Sequence, residues 1–224
     1  MGPIPLIRLA RVDSTQTFLR RHPELHPCAV MADAQTEGRG RQGHRWESAE
    51  GQGLWLSASL APPDLPPGIL LQQAMEAVIA ALAFTGVAWG LKWPNDLVAR
   101  KGEGLVKVGG IIGERVGSRL VLGLGVNLTS APDLPDRAFP AACLAEVCEV
   151  PLDRVALAQA ILDQWQHLES ILPKAFRWPS EGESFRWEGG QGVCLGWEPD
   201  GRLKVTTAEG VQRLSVGDIR SLRS

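Results

Sequence analysis

Two apolar segments joined by a short turn constrain the fold more than any other feature of the chain. Residues 108–115 and 119–126 each read as a strand, and Gly117 with Ser118 between them is typical of a hairpin. The second segment is almost continuously apolar, which is expected of a strand buried in the middle of a sheet. We therefore expect a sheet with antiparallel strands at its centre.

Two longer segments have helical spacing instead. Apolar residues recur every three or four positions in residues 71–82 and 152–172, and Ser14 or Thr15 could cap a shorter helix ending near His22. Further strands are predicted at residues 4–10, 29–34 and 87–93, and the alternation in 54–60 predicts a half-buried strand. Long helices segregated from hairpins favour an α+β fold over a doubly wound sheet.

The composition changes after about Glu183. Short glycine-punctuated segments follow, with tight-turn signals at Asp200-Gly201 and Glu209-Gly210. Short strands at even spacing predict a small β-barrel, and the boundary is expected near Pro179. The predicted domains are residues 1–178 and 179–224.

Composition and charge exclude several classes of protein. The formal net charge is −2, so a global affinity for nucleic acid or membranes is not expected. The N-terminus lacks the apolar core of a secretion signal, and no uncharged apolar run is long enough to span a membrane. The four cysteines form no CxxC pair, which favours free buried thiols in a cytoplasmic protein over a metal or redox site.

Residues 35–46, the glycine–arginine segment, carry the clearest chemical signal. Their glycines match GxGxxG, but a dinucleotide site would need a helix to begin inside the motif, and here the chain runs on to a strand. What remains is a glycine loop with Arg39, Arg41 and Arg45, which suits the binding of phosphate or carboxylate, and Trp46 could stack on a base. The alternative is a mobile solvated loop whose tryptophan packs into the core.

Three other segments carry weaker signals. Lys92-Trp93-Pro94-Asn95-Asp96 brings a cation, an amide and a carboxylate together at a strand end, although Asn-Asp after proline is also ordinary turn chemistry. Lys107 precedes a double glycine, which alone is adequately explained as a surface lysine beside a tightly packed strand. Two glycines also interrupt the apolar segment 119–128, as expected where a ligand lies against the backbone of a strand. Asp13-Ser14-Thr15-Gln16 is adequately explained as a helix cap.

In this order, DST, GRGRxGxxW, KWPND, KxGGIxxE and GxGxNL resemble the biotin–protein ligase family, within the biotin and lipoate ligase superfamily. The resemblance covers almost the whole chain. It implies a mixed β-sheet flanked by helices, as in class II aminoacyl-tRNA synthetases, followed by a C-terminal SH3-like β-barrel. It also implies the short form of the family, without the N-terminal DNA-binding domain of the regulatory members.

The resemblance assigns roles to individual residues. The catalytic residues it implies are Lys107, Arg39, Arg41 and Asp96. The biotin-binding residues it implies are Ser14, Thr15, Gln35, Gly38, Arg39, Arg41, Lys107, Gly110 and Gly125. The ATP-binding residues it implies are Arg41, Arg45, Trp46, Asn95, Asn127 and Arg223. Mg²⁺ is expected to be held mainly through ATP, with no separate metal site.

The implied reaction consumes ATP, forms biotinyl-5′-AMP and transfers biotin to a lysine of the biotin carboxyl carrier domain of a biotin-dependent carboxylase. The implied enzyme is a cytoplasmic homodimer that binds neither DNA nor membranes. The chain departs from the family pattern at Gln16, at Gln42 and His44, where basic residues are common, and in an apparent insertion at 103–106. Two alternatives stay open: a lipoate or octanoyl ligase or transferase of the same superfamily, and a non-catalytic biotin or nucleotide sensor.

Overall fold

A computed structural model describes residues 2–133, 139–173, 175–215 and 217–222 of the chain. Within these residues there are two sheets and four α-helices. The helices are α1 (Thr15–Arg21), α2 (Pro67–Ala81), α3 (Leu144–Val147) and α4 (Arg154–Trp165). The larger sheet contains β1 (Leu6–Val12), β2 (Cys28–Gln35), β3 (Gly53–Leu60), β4 (Trp89–Lys92), β5 (Asp96–Lys101), β6 (Gly104–Val116), β7 (Arg119–Asn127) and β8 (Phe176–Trp178). The smaller sheet contains β9 (Ser184–Trp187), β10 (Gly190–Trp197), β11 (Leu203–Thr207), β12 (Gly210–Leu214) and β13 (Arg220–Ser221).

The larger sheet is mixed, with strand order β1-β2-β3-β7-β6-β5-β4-β8. Its centre is antiparallel, and the parallel pairs β1/β2 and β4/β8 lie at its two edges. The predicted central hairpin is confirmed, because Val116 pairs with Arg119 across the Gly117–Ser118 turn and Gly117 has the positive φ of 59° that such a turn needs. The α+β prediction is therefore correct.

Both faces of the larger sheet are covered. Helix α1 packs on one face against β2, β3 and β7, while α2 and α4 pack on the other. As a result every residue of β3 is buried, and the prediction of a half-buried strand is wrong. The polar positions in that strand, Ser57 and Ser59, do not face water but hydrogen-bond to side chains beneath them.

The start of α1 follows its sequence signal, whereas the end of α4 does not. Ser14 caps α1 by accepting a hydrogen bond from the backbone N–H of Thr17, as predicted. The helix predicted at 152–172 is shorter, because after Trp165 the chain tightens into a 3₁₀ turn at Leu168–Ser170 that still keeps Leu168 in the core. The apparent insertion at 103–106 completes a hairpin in which Lys101 pairs with Gly104.

The smaller sheet has the order β12-β11-β10-β9-β13. The predicted closed barrel is not formed in the described residues, since β13 has two residues and pairs with β9, and no pairing joins it to β12. The larger sheet ends at Trp178 and the smaller one begins at Ser184. The division into two domains near Pro179 stays a prediction.

The smaller sheet is tied to the larger one by a tryptophan that follows β4. Trp93 is fully buried in the core of the smaller sheet, with Phe185, Leu203 and Ile219. Its indole N–H donates to the carbonyl of Gly201 at 3.1 Å, and that carbonyl also accepts from Gln72 of α2 at 3.0 Å. The strand end that carries the KWPND motif is therefore fixed from both sheets.

Two further sequence expectations can be compared with the fold. All four cysteines are buried and free, which confirms the expectation of free buried thiols. No helix in the described part of the chain is long and apolar enough to cross a membrane.

The cap of α4 gives a stability prediction. Asp153 accepts hydrogen bonds from the backbone N–H groups of Val155 and Ala156 at 2.8 and 3.1 Å. Because Asp153→Ala leaves both donors without a side-chain acceptor, we expect a loss of about 1 kcal/mol in the free energy of unfolding, measured by urea denaturation.

The matched control is Asp163→Ala in the same helix. Asp163 makes only an exposed contact with Gln159, so its loss should cost about 0.2–0.5 kcal/mol. Equal losses in the two variants would contradict the assigned cap.

Candidate functional site

A cleft lies on the larger sheet between the start of α1, strands β3, β6 and β7, and the glycine–arginine segment above them. Most of the residues expected at the site line this cleft. They are Ser14, Thr15, Gln35, Arg39, Arg41, Arg45, Trp46, Asn95, Asp96, Lys107, Gly110, Gly125 and Asn127. Gly38 is buried and is not part of the lining, and Arg223 lies outside the described residues.

One end of the cleft carries neutral polar side chains in a hydrogen-bonded network. The Oε1 atom of Gln35 accepts from the backbone N–H of Thr15 at 2.9 Å and from its hydroxyl at 3.2 Å. Thr15 Oγ1 is also 2.8 Å from Ser57 Oγ, and Gln35 Nε2 donates to Ser48 Oγ at 2.8 Å. We call these residues the polar end of the cleft, because they present both donors and acceptors.

Gln16 and Ser57 also belong to this end, and the sequence motifs do not point to either of them. Gln16 is buried and donates to the carbonyl of Val121 at 3.0 Å, while its Oε1 accepts from Ser57 Oγ at 3.4 Å. Gly123 makes room for Gln16, since a Cβ at that position would lie 2.5 Å from Gln16 Oε1. The alternation of serines in β3 is the one sequence signal that points to Ser57, but the same alternation also predicts a half-buried strand with its serines facing solvent.

The glycine–arginine segment folds back on itself over the cleft. Trp46 N donates to the carbonyl of Gly38 at 2.9 Å, and Gly40 N donates to the carbonyl of His44 at 2.8 Å. Gln42 at the tip has a left-handed backbone, with φ 53° and ψ 31°. The segment is therefore a paired turn with its arginines at the rim, in place of the irregular loop expected from its composition.

Trp46 lies directly on the sheet. A Cβ at Gly125 would come within 2.5 Å of the indole ring, and one at Gly110 would come within 3.6 Å of it. The glycines of β6 and β7 therefore allow an aromatic ring to approach the backbone closely. The ring centroid is 5.5 Å from Lys107 Nζ, and the buried indole N–H has no acceptor within the described residues.

The other end of the cleft is charged and centres on Asp96. Its Oδ1 lies 2.7 Å from Lys107 Nζ, and its Oδ2 lies 3.4 Å from Lys92 Nζ. Lys92 also contacts Asp218 Oδ1 at 3.1 Å. We call Lys92, Asp96, Lys107 and Asp218 the lysine–aspartate cluster, in which each lysine has at least one carboxylate partner.

The cluster keeps Asp96 ionised although it is buried. Burial acts to raise the pKa of the Asp96 carboxyl, but the charges of Lys107 and Lys92 together outweigh it, so the net pKa is lowered. Because the folded-state pKa is depressed, this carboxylate stabilises the fold above the ordinary carboxyl range. That contribution is lost as the pH falls through the lowered pKa.

Arg41 joins the cluster from the glycine–arginine segment. Its Nη1 donates to Asn95 Oδ1 at 3.1 Å and to the carbonyl of Gly217 at 3.4 Å. Burial lowers the pKa of Arg41, and Asp96 and Asp218 partly offset that effect. Arg39 and Arg45 are exposed at the rim of the cleft instead.

The two asparagines are held by backbone groups. Asn95 Nδ2 donates to the carbonyl of Ile111 at 2.7 Å, and Asn127 Nδ2 donates to the carbonyl of Ala142 at 3.1 Å. Residues 140–142 also pair with β6, through Lys107 N to Pro140 O and Ala142 N to Lys107 O, both at 2.8 Å. These contacts hold the backbone on both sides of Lys107, and nothing in the sequence pattern predicted them.

The donor set of the cleft suits anions better than a protein-bound metal. Both Asp96 oxygens contact lysine ammonium groups, and the described residues contain no cluster of three or more His, Cys, Asp or Glu that could hold a metal ion. Arg41, Lys92 and Lys107 against Asp96 and Asp218 leave one net positive charge. A neutral polar end and a positive end in one cleft can hold a molecule that is polar at one end and anionic at the other.

Comparison with known proteins agrees with this geometry. Residues 9–129 match the model of the biotin/lipoate A/B protein ligase family. The biotin–[acetyl-CoA-carboxylase] ligase of Mycobacterium tuberculosis is 31% identical over 215 residues, which cover 87% of this chain and 79% of that protein. The bifunctional ligase/repressor BirA of Bacillus subtilis is also 31% identical, over 85% of this chain, which spans 65% of that relative's length.

A solved structure is similar along nearly its whole length. The biotin protein ligase of Aquifex aeolicus, in complex with biotin and ATP, superposes with a TM-score of 0.78 at 28% identity, covering 96% of this chain and 97% of that one. The family model covers more than half of the sequence, and most of the residues that line the cleft lie within the part that it matches. The chain therefore belongs to the biotin/lipoate A/B protein ligase family.

Proposed function

We propose that the chain is an ATP-dependent ligase that forms biotinyl-5′-AMP and transfers the biotinyl group to a lysine of a biotin carboxyl carrier domain. The observation that carries the proposal is the pairing, in one cleft, of the polar end with the lysine–aspartate cluster beneath an arginine-bearing segment. The names of the Mycobacterium tuberculosis and Aquifex aeolicus relatives, which act on or bind biotin, support the same reaction.

The polar end suits the ureido ring of biotin. That ring presents two N–H donors and one carbonyl acceptor, and the network of Thr15, Gln35 and Ser57 offers both kinds of partner. A lipoyl or octanoyl chain has no such polar head and would offer these polar groups no hydrogen bond, so covering them with an apolar chain would cost binding free energy. This contrast supports biotin over the lipoate or octanoyl alternative.

In the first step, a biotin carboxylate oxygen attacks the α-phosphorus of ATP, and pyrophosphate leaves. Negative charge accumulates where the carboxylate and phosphate meet, so cations held there stabilise the transition state. Lys107 and Arg41 are the cations that face this end of the cleft, and Asp96 and Asn95 orient them. Arg39 and Arg45 supply further positive charge from the rim.

In the second step, a carrier lysine amine attacks the mixed anhydride, and AMP leaves. No enzyme nucleophile is needed, so the protein contributes positioning and the exclusion of water. We assign adenine to the neighbourhood of Trp46, whose flat ring and unsatisfied indole N–H suit a base. Asn127 borders the same part of the cleft. The biotin-side roles of Ser14, Gly38, Gly110 and Gly125 stay predictions, and for Gly110 and Gly125 they require the Trp46 ring to move off the two glycines when biotin binds.

Mg²⁺ would enter with the ATP phosphates, because the lysines already occupy both oxygens of Asp96. The acceptor would be the carrier domain of a biotin-dependent carboxylase. The homodimeric state, the cytoplasmic location, the ATP-binding role of Arg223 and the domain division at residue 179 stay predictions.

The proposal can be tested by measuring which carboxylic acid substrate the chain activates with ATP. Because only biotin satisfies the polar end, we expect biotin to stimulate ATP–pyrophosphate exchange, while lipoate and octanoate at the same concentration leave it at background. Stimulation by lipoate or octanoate and not by biotin would select the alternative ligase. Binding of biotin and ATP without any exchange would select the non-catalytic sensor.

Lys107→Ala tests the proposal that the Lys107 ammonium group stabilises the transition state of the first step. Asp96 keeps its contact with Lys92 in this variant, so the fold should persist at reduced stability. Biotin-dependent exchange should fall about 100-fold or more, as when a group that stabilises developing charge is removed. Lys101→Ala is the matched control, since Lys101 lies in the same β5–β6 hairpin and makes an exposed ion pair with Glu146. Normal exchange in Lys107→Ala would refute the assignment.

A further inference from the structure

We propose that Asp218, in the segment before β13, is a positioning residue that fixes Lys107 through Lys92 and Asp96. The proposal deepens the function proposed above and rests on it. It assigns the C-terminal sheet a direct part in the chemistry of the cleft, beyond packing or carrier recognition.

The first link is the burial of Lys92. Its side chain is 3% exposed, and it lies between Asp96 at 3.4 Å and Asp218 at 3.1 Å. A buried ammonium group without carboxylate partners is strongly unfavourable, so Lys92 depends on both. Asp218 is the closer of the two carboxylates.

The second link is the division of Asp96 between two lysines. Its Oδ1 contacts Lys107 at 2.7 Å while its Oδ2 contacts Lys92. Because Asp218 also pairs with the charge of Lys92, Asp96 can keep its ion pair with Lys107. Without Asp218, Lys92 would draw the Asp96 carboxylate toward itself and away from Lys107.

The third link is the residue before Asp218. The carbonyl of Gly217 accepts a hydrogen bond from Arg41 at 3.4 Å, and Asp218 contacts Lys92. Two adjacent residues of the C-terminal segment therefore each contact a cation of the cleft. Arg220 also faces Asp218, at 3.8 Å from its Oδ2, and the charge of Asp218 acts on Arg41 as well. Trp93 and Ile219, both fully buried in the core of the smaller sheet, fix the segment relative to the KWPND strand end.

The test compares Asp218→Asn with the wild-type chain in biotin-dependent ATP–pyrophosphate exchange. We expect kcat to fall about 10- to 100-fold, as for a misplaced catalytic group, with the KM for biotin close to wild type. The Tm should fall as well, because buried Lys92 loses one of its two carboxylate partners. Asp218→Glu, which keeps the carboxylate, should recover most of the lost rate. A purely structural role would lower the Tm without separating kcat from KM.

A second readout does not depend on activity. Acetic anhydride should label Lys107 faster in Asp218→Asn, because the ion pair between Lys107 and Asp96 is weaker in that variant. The labelling rate is measured by mass spectrometry of the peptide that contains Lys107. Asp218→Ser serves as a second variant in the same measurement if the first unfolds. The controls are Glu209→Gln, an exposed charge in the same sheet, and Arg220→Gln, and both should match wild type in exchange and labelling.

Unchanged Lys107 labelling in a folded Asp218 variant would overturn the proposal. Equal effects of Asp218→Asn and Arg220→Gln would also overturn it, because the Arg220 contact would then be the cause. A wild-type chain without biotin-dependent exchange would instead refute the proposed function, and labelling alone would then decide the role of Asp218.

Discussion

The bridge that Asp96 makes between Lys107 and Lys92 is the interaction on which the rest of the site depends. One buried carboxylate holds two cations, and removing a partner from a buried ion pair costs about 3–5 kcal/mol. The arrangement needs Asp96 at the start of β5 and Lys107 on the neighbouring strand β6, so it exists only when that hairpin is in register. The correct pairing of β5 with β6 is therefore required both for the fold and for the placement of these charges.

The larger sheet, the start of α1 and the C-terminal segment supply the rest of the site. Glycines of β6 and β7 give the cleft a floor flat enough for the Trp46 ring, and the start of α1 supplies the polar end. The smaller sheet takes Trp93 into its core and presents Gly217 and Asp218 to the cations. Each segment that carries a motif is thus held by contacts distant in sequence.

Much of this could be predicted from local pattern. The central hairpin, the cap at Ser14 and the α+β class follow from turn chemistry and apolar spacing, and the family follows from five short motifs in order. What failed or was missed depends on contacts between distant segments. The burial of both faces of β3, the open smaller sheet, the Gln16–Gly123 fit and the Lys92–Asp218 pair are set by packing that no single window of sequence contains.

The most direct measurement is the mass of a carrier domain incubated with this chain, biotin, ATP and Mg²⁺. The account predicts that the carrier gains one biotinyl group, on a lysine, only when biotin and ATP are both present, and that AMP and pyrophosphate are released. A carrier whose mass stays unchanged, while the chain binds biotin and ATP in calorimetry, would contradict it.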